Sequence, residues 1–324
     1  MIQSFTVTNH NGKSMVCDLA NPWKEGLAVA SIEGLGPGQA NINVADVSSM
    51  DGGLFNSARR GTRNITINLI FVDHDTLTIE DIRRKCYTYF PLKKNVKLKV
   101  TTSNGKASKE YMIDGYVESN EPNIFSSSEG TTVSIICPNP YFYRPVSQEQ
   151  VFNVRANSDF TFAFWRVNSE TPQTRILFGD VVPFIIASIN YEGDADTGLV
   201  FEIGFKSDVD NTYSEPQYIR FSSALTSTEN RVSLDKIKTF MDAREIAGYT
   251  GIVAGDKLIL STIKGDKYLT YIHDGIKYNV LSAMESSGKW VSITTGLNTL
   301  RIDKTDPDLE FTASCKNKIY FYGV

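Results

Sequence analysis

Any nucleophilic triad or imidazole metal site in this chain has to be built from three histidines, His10, His74 and His273. None stands with a G-x-S-x-G elbow or an H-E-x-x-H helix, the local patterns that place a nucleophile or a zinc ion beside an imidazole. His10 falls in the turn-forming run Asn9-His-Asn-Gly12, and His273 ends a strand-like run. Asp73-His-Asp75 has the residue types of a metal-ligand set. Neighbours on an extended segment point to opposite sides, however, so at most two of these side chains converge, and a solvated loop is expected. The acid pairs Asp194/Asp196 and Asp208/Asp210 sit in polar loops without the ligand spacing of a calcium loop. Cys17, Cys86, Cys137 and Cys315 are far apart and form no C-x-x-C pair, which predicts buried free thiols. The expectation is a protein with no catalytic residues, no metal and no cofactor.

Binding chemistry leaves a shorter set of candidates. The net charge of -4 disfavours a protein that works by neutralising nucleic-acid phosphates. Arg83-Arg84-Lys85 falls in the second half of a helical run, where positive charge complements the helix dipole, and reads as a solvated or salt-bridged face, with a subunit contact as its functional use. Leu54 and Phe55 follow Met50-Asp-Gly-Gly53 at the tip of a glycine-bearing connection. Apolar side chains there either fold back or meet a partner. Trp165 and Trp290 lie in a strand-rich region, where a tryptophan is core or a stacking platform for a sugar ring. Gly34-Leu-Gly-Pro-Gly38 lacks a following P-loop lysine and helix, so it reads as a loop.

The elements that would position these residues are mostly strands. In Arg63–Phe71, Ile65, Ile67, Leu69 and Phe71 alternate with Asn64, Thr66, Asn68 and Ile70, the period of a sheet with one buried face. Thr78-Ile-Glu-Asp81 has the form of a capping box, and Ile79, Ile82, Cys86 and Phe90 recur on one helical face before Pro91, so a helix is expected over 79–90. A hairpin is expected around Asn9–Gly12, and a short helix over 233–241. Cys137-Pro-Asn-Pro-Tyr-Phe-Tyr-Arg-Pro145 excludes helix and central strand and marks a boundary between domains at 1–145 and 146–324. Beyond it, Gly255-Asp256, Gly265-Asp266 and Asp274-Gly275 punctuate short strands at the spacing of an antiparallel sandwich. No run approaches the roughly 20 apolar residues of a membrane span, and the N-terminus lacks a secretory pattern, so folding in a cytoplasm without membrane insertion is expected. The fold class is mainly β.

With this two-part plan, the sequence resembles the distal tail proteins of long-tailed bacteriophages. The N-terminal likeness rests on Arg63-Asn-Ile-Thr-Ile67, the helix ending at Pro91, and Ile135-Ile-Cys-Pro-Asn-Pro-Tyr-Phe142. The C-terminal likeness rests on Gly255-Asp-Lys-Leu-Ile-Leu-Ser-Thr262, Gly265-Asp-Lys267, Asp274-Gly275, Asn279, Trp290 and Thr295-Gly-Leu-Asn-Thr-Leu300. The resemblance implies a ring-forming, belt-type β domain with one α-helix, followed by a galectin-like β-sandwich. It further implies a hexameric ring at the virion tail tip that joins the tail tube protein to the tail-associated lysin or baseplate hub and to receptor-binding proteins, with DNA only in transit through the lumen. The family contributes no catalytic residues. The second domain exceeds a minimal galectin-like fold, so loops such as 193–198 or 207–216 are expected to be elaborated. A carbohydrate-binding module contacting host cell-wall glycans through Trp165 or Trp290 is the alternative function.

Overall fold

The computed structural model describes the chain except for residues 47, 49–50, 73, 75, 106, 127, 158–179, 211, 247–248 and 286–288. The described residues form two compact units, Met1–Val146 with Tyr320–Val324, and Ser147–Ile319. The terminal run therefore returns to the first unit, where the sequence reading had continued the second domain to residue 324. Backbone pairing is the reason: Phe321 and Tyr320 pair antiparallel with Phe142 and Tyr143 at the exit from the first unit.

The first unit contains β1 (Ile2–Thr8), β2 (Ser14–Asp18), β3 (Leu27–Glu33), β4 (Ala40–Asp46), β5 (Gly53–Arg60), β6 (Arg63–Phe71), α1 (Ile79–Tyr89), β7 (Asn95–Ser103), β8 (Ser108–Asn123), β9 (Gly130–Cys137) and β10 (Phe142–Tyr143). Its main sheet runs β2-β1-β7-β8-β9-β6-β3, and β4 with β5 makes a separate two-stranded sheet. The predicted alternation in β6 is real: Ile65, Ile67, Leu69 and Phe71 are buried between antiparallel β3 and β9. In the β1–β2 hairpin the Asn9 carboxamide oxygen accepts from Asn11 N and Lys13 N, while its Nδ2 donates to Thr88 O at 3.0 Å. That turn is thereby tied to the helix.

Helix α1 forms where its cap chemistry says it should. Thr78 Oγ1 accepts from Asp81 N at 3.2 Å, and Thr78 N donates to Asp81 Oδ2 at 3.1 Å, completing a capping box of the kind that contributes about 1 kcal/mol. Hydrogen bonds from Thr78 also hold the Asp81 carboxyl below its ordinary pKa. Ile82 and Cys86 are buried, and Phe90 ends the helix with its N–H on Cys86 O at 2.8 Å.

The second unit comprises β11 (Gln148–Val151), β12 (Asn153–Asn157), β13 (Asp180–Tyr191), β14 (Thr197–Gly198), β15 (Val200–Phe205), β16 (Tyr218–Ser223), β17 (Thr228–Ser233), α2 (Leu234–Asp242), β18 (Lys257–Ser261), β19 (Tyr268–His273), β20 (Ile276–Asn279), β21 (Met284–Glu285), β22 (Ser292–Ile293), β23 (Gly296–Lys304) and β24 (Phe311–Asn317). Two antiparallel sheets, β11-β24-β15-β18-β19-β20 and β12-β13-β23-β16-β17-β21, meet through Phe201 and Phe221, whose ring centroids are 4.9 Å apart. Helix α2 matches the short helix expected from sequence. Ser233 caps it by accepting from Lys236 N, and Leu234, Ile237 and Met241 supply its buried face.

Candidate interaction surfaces

The β4–β5 ribbon is the most exposed regular structure in the first unit. The sequence reading placed Leu54 and Phe55 at a loop tip; instead they open strand β5, with Phe55 opposite Val44 and Leu54 opposite Ala45. Gly52, immediately before β5, takes φ +91°, a conformation that glycine adopts without strain. Phe55 is 67% exposed and Leu54 53%, with Ile42 and Val44 also in solvent. Two strands alone are marginally stable in water, and on this pair Phe55 shares a face with Val44 and Ile42 while Leu54 points to the other. At its base Arg60 anchors the ribbon, its guanidinium 3.6 Å from the centre of the Tyr322 ring.

The arginines of α1 are paired within the chain. Arg83 Nη2 meets Glu129 Oε2 at 3.0 Å in a half-buried pair, whereas Arg84 meets Glu80 at 2.9 Å one helical turn away and is largely exposed. The structure thus separates two residues that sequence spacing alone groups together: Arg83 braces the β8–β9 turn, and Arg84 faces solvent.

Of the histidines, His74 Nδ1 is engaged by Thr76 N at 3.1 Å, while Asp73 and Asp75 lie outside the described residues. Among the described residues no group of three or more His, Cys, Asp or Glu side chains converges as a metal site. Asp208 and Asp210 serve loops: Asp208 Oδ1 accepts from Ala254 N, and Asp210 Oδ1 from Thr212 N and Oγ1, which lowers the Asp210 pKa.

The second unit also holds a buried polar knot that sequence reasoning did not find. Asp256 Oδ1 lies 2.9 Å from His273 Nδ1, and Asp256 Oδ2 accepts from the Tyr271 hydroxyl and from Val253 N. Burial, followed by the Asp256 contact, pushes the Tyr271 hydroxyl pKa far up, so it stays protonated and donates. All three side chains are buried. The knot ties the loop that carries Val253 and Asp256 to β19, and on its outer side His273 Nε2 lies 3.8 Å from the exposed Asp274 carboxylate. The available signal was the same-face spacing of Tyr271 and His273; the β18–β19 register supplies the rest, because Lys257 pairs with Ile272 and brings Asp256 beside His273.

Trp290 is half-buried, and the Lys267 ammonium lies 4.5 Å from its ring centre, so a sugar stacking on that face would have to displace a cation. Trp165 lies outside the described residues.

All four cysteines are free and buried. Burial raises the Cys17 thiol to about 11 and those of Cys86, Cys137 and Cys315 to about 12, from an ordinary 9.0. A thiol-specific chromogenic reagent at pH 8 is therefore expected to label essentially no site in native protein and all four after denaturation. Below pH 9 both states keep the thiol protons; above it the unfolded chain ionises first, so stability falls as pH rises from about 9 toward 11 to 12. Prompt native labelling would contradict the burial, and urea melts at pH 8 and 10 with equal midpoints would contradict the linkage.

No protein-family model matches the chain, and no curated protein matches it. Among solved structures, the crystal structure of the SPP1 Dit (gp 19.1) protein, presented as a paradigm of the hub adsorption apparatus in phages infecting Gram-positive hosts, matches with a TM-score of 0.56 and 14% identity over 97% of this chain and 98% of that one. A chain of the phage p2 baseplate in its activated conformation with strontium aligns at a TM-score of 0.48 and 13% identity over 97% of each chain. The first likeness shows the fold: this chain is Dit-like over nearly its whole length.

Proposed function

We propose, from the Dit-like fold, that the chain is a non-enzymatic structural protein of a bacteriophage tail tip. The first unit is the belt-type ring-forming domain and the second a galectin-like sandwich. Six copies close a ring that joins the tail tube protein to the tail-associated lysin or hub and to receptor-binding proteins, with DNA passing only in transit. The observation that carries the reading is the β4–β5 ribbon, an exposed apolar two-stranded sheet that has to be covered to be stable. A cyclic ring needs two different complementary surfaces on one protomer. The main sheet ends in two unlike edges, β2 and β3, and the ribbon springs from the β3 side. The net charge of -4 suits a conduit that must not retain a polyanion.

Light scattering on purified protein over a range of concentrations tests this. A mass near six times 36.1 kDa is expected. A strict monomer throughout, including with excess tail tube protein from the same virion, would overturn the ring.

A further inference from the structure

One register row on the outer face of the second unit crosses five strands: Phe184 of β13 pairs with Asp303 of β23, Asp303 with Arg220 of β16, Arg220 with Arg231 of β17, and Arg231 with Glu285 of β21. Like charges directly opposite one another are unfavourable in a sheet, yet two arginines occupy the middle of this row. Each has a carboxylate on its far side. Arg220 Nε and Nη2 donate to Asp303 Oδ2 at 3.2 and 3.1 Å, and Arg231 Nε lies 2.9 Å from Glu285 Oε2.

Those carboxylates are shared. Asp303 also accepts from Arg301 Nε at 2.7 Å, and Glu285 also lies 3.4 Å from Lys236 Nζ. Four cations thus rest on two carboxylates. With Glu229, two residues before Arg231 on the same face, the patch still carries one cation in excess on a chain whose net charge is -4. The planes of two guanidinium groups are fixed by aromatic faces: Arg231 lies 3.6 Å from the Tyr218 ring centre and Arg301 4.0 Å from that of Phe184. A stacked guanidinium is pre-organised, so it loses little freedom on binding. Arg220 Nη1 and both Nη atoms of Arg231 have no hydrogen-bond partner among the described residues, and the two side chains are 39% and 38% exposed.

Two adjacent forks with spare in-plane donors match the oxygens of a phosphate or a carboxylate. On the same outward face Ser222 offers a hydroxyl one row from Arg220, and Thr299 and Ser188 offer two more a further row along. We propose that this sheet face is a binding site for an anionic glycan, whose oxyanion sits between Arg220 and Arg231 while its hydroxyls meet the neighbouring polar side chains. The site is independent of the ribbon and of the ring proposal.

The test is calorimetric titration of the full chain with poly(glycerol phosphate), with polygalacturonate and with neutral dextran. At least one of the two anionic polymers is expected to bind and dextran not to bind. Binding of the first alone assigns a phosphate-bearing ligand, and binding of the second alone a carboxylate-bearing one. R220Q and R231Q are each expected to weaken binding about tenfold or more, with near-ultraviolet circular dichroism and oligomer mass unchanged. R220K/R231K, which keeps the charge and loses the fork, is expected to fall between wild type and R220Q/R231Q. The proposal is overturned if neither anionic polymer binds, if dextran binds equally well, or if R220K/R231K binds like wild type, since charge alone would then suffice.

Discussion

Phe55→Asp is expected to abolish the proposed ring while leaving both units folded. Phe55 is 67% exposed on a ribbon that pairs only with itself among the described residues, so replacing it removes little packing within the protomer. Surface changes of that kind alter stability by about 0.5 kcal/mol or less. The cost at an interface is of another order. Burying a phenylalanine contributes roughly 1.5–3 kcal/mol, and a carboxylate in its place must be desolvated without a partner. In a closed ring the penalty recurs at every contact. Leu54→Asp acts on the same ribbon with a smaller apolar loss. Arg84→Glu perturbs an exposed helix face whose present pair with Glu80 is of the kind worth about 0.3–0.5 kcal/mol. Arg83→Glu would also strip the half-buried Glu129 of its cation, so it reports on folding as well as assembly. Light scattering alongside circular dichroism reads both quantities. Unchanged hexamers in Phe55→Asp and Leu54→Asp would remove the ribbon from the interface.

Arg63→Ala is expected to be the most destabilising single change in the first unit. Arg63 is 5% exposed and donates to four backbone carbonyls: Nε to Pro140 O at 2.7 Å, Nη1 to Gly34 O at 2.5 Å and Gly36 O at 2.6 Å, and Nη2 to Tyr322 O at 2.6 Å. Burial lowers its pKa below the ordinary arginine value. One side chain thereby gathers the glycine-rich loop, the exit from the unit and the returning terminal segment. Hydrogen bonds to a charged donor contribute about 1.5–3 kcal/mol each, and carbonyls left unsatisfied add a penalty. Even with partial rehydration a loss on the order of 4 kcal/mol follows. Arg63→Lys keeps the charge but presents a single nitrogen, so it is expected to recover only part of the loss. Hydrogen exchange adds a local readout: Val324 N, now bonded to Leu35 O at 3.0 Å, should exchange faster in both variants. An Arg63→Ala protein that unfolds within about 1 kcal/mol of wild type would refute this account.

What the sequence by itself determined is the part of the structure whose causes are local. The β6 alternation, the Thr78–Asp81 capping box, the Asn9–Gly12 turn and the α2 face are written in residues within a few positions of one another, and each forms as expected. Strand β5 escaped because Gly-Leu-Phe-Asn-Ser-Ala-Arg-Arg shows no alternation; it is a strand because β4 pairs with it across a bulge. Only the tertiary structure decided the rest. Arg63 and Tyr322 are 259 residues apart, Arg220 and Asp303 are 83 apart, and the separation of Asp256 from His273 is closed by one particular strand register. Shifting a pairing by one residue would turn every such side chain to the other face. Which polar groups meet is therefore set by the register of distant strands, and that register is chosen by the burial of both sheets' apolar faces together, which no short window of sequence contains.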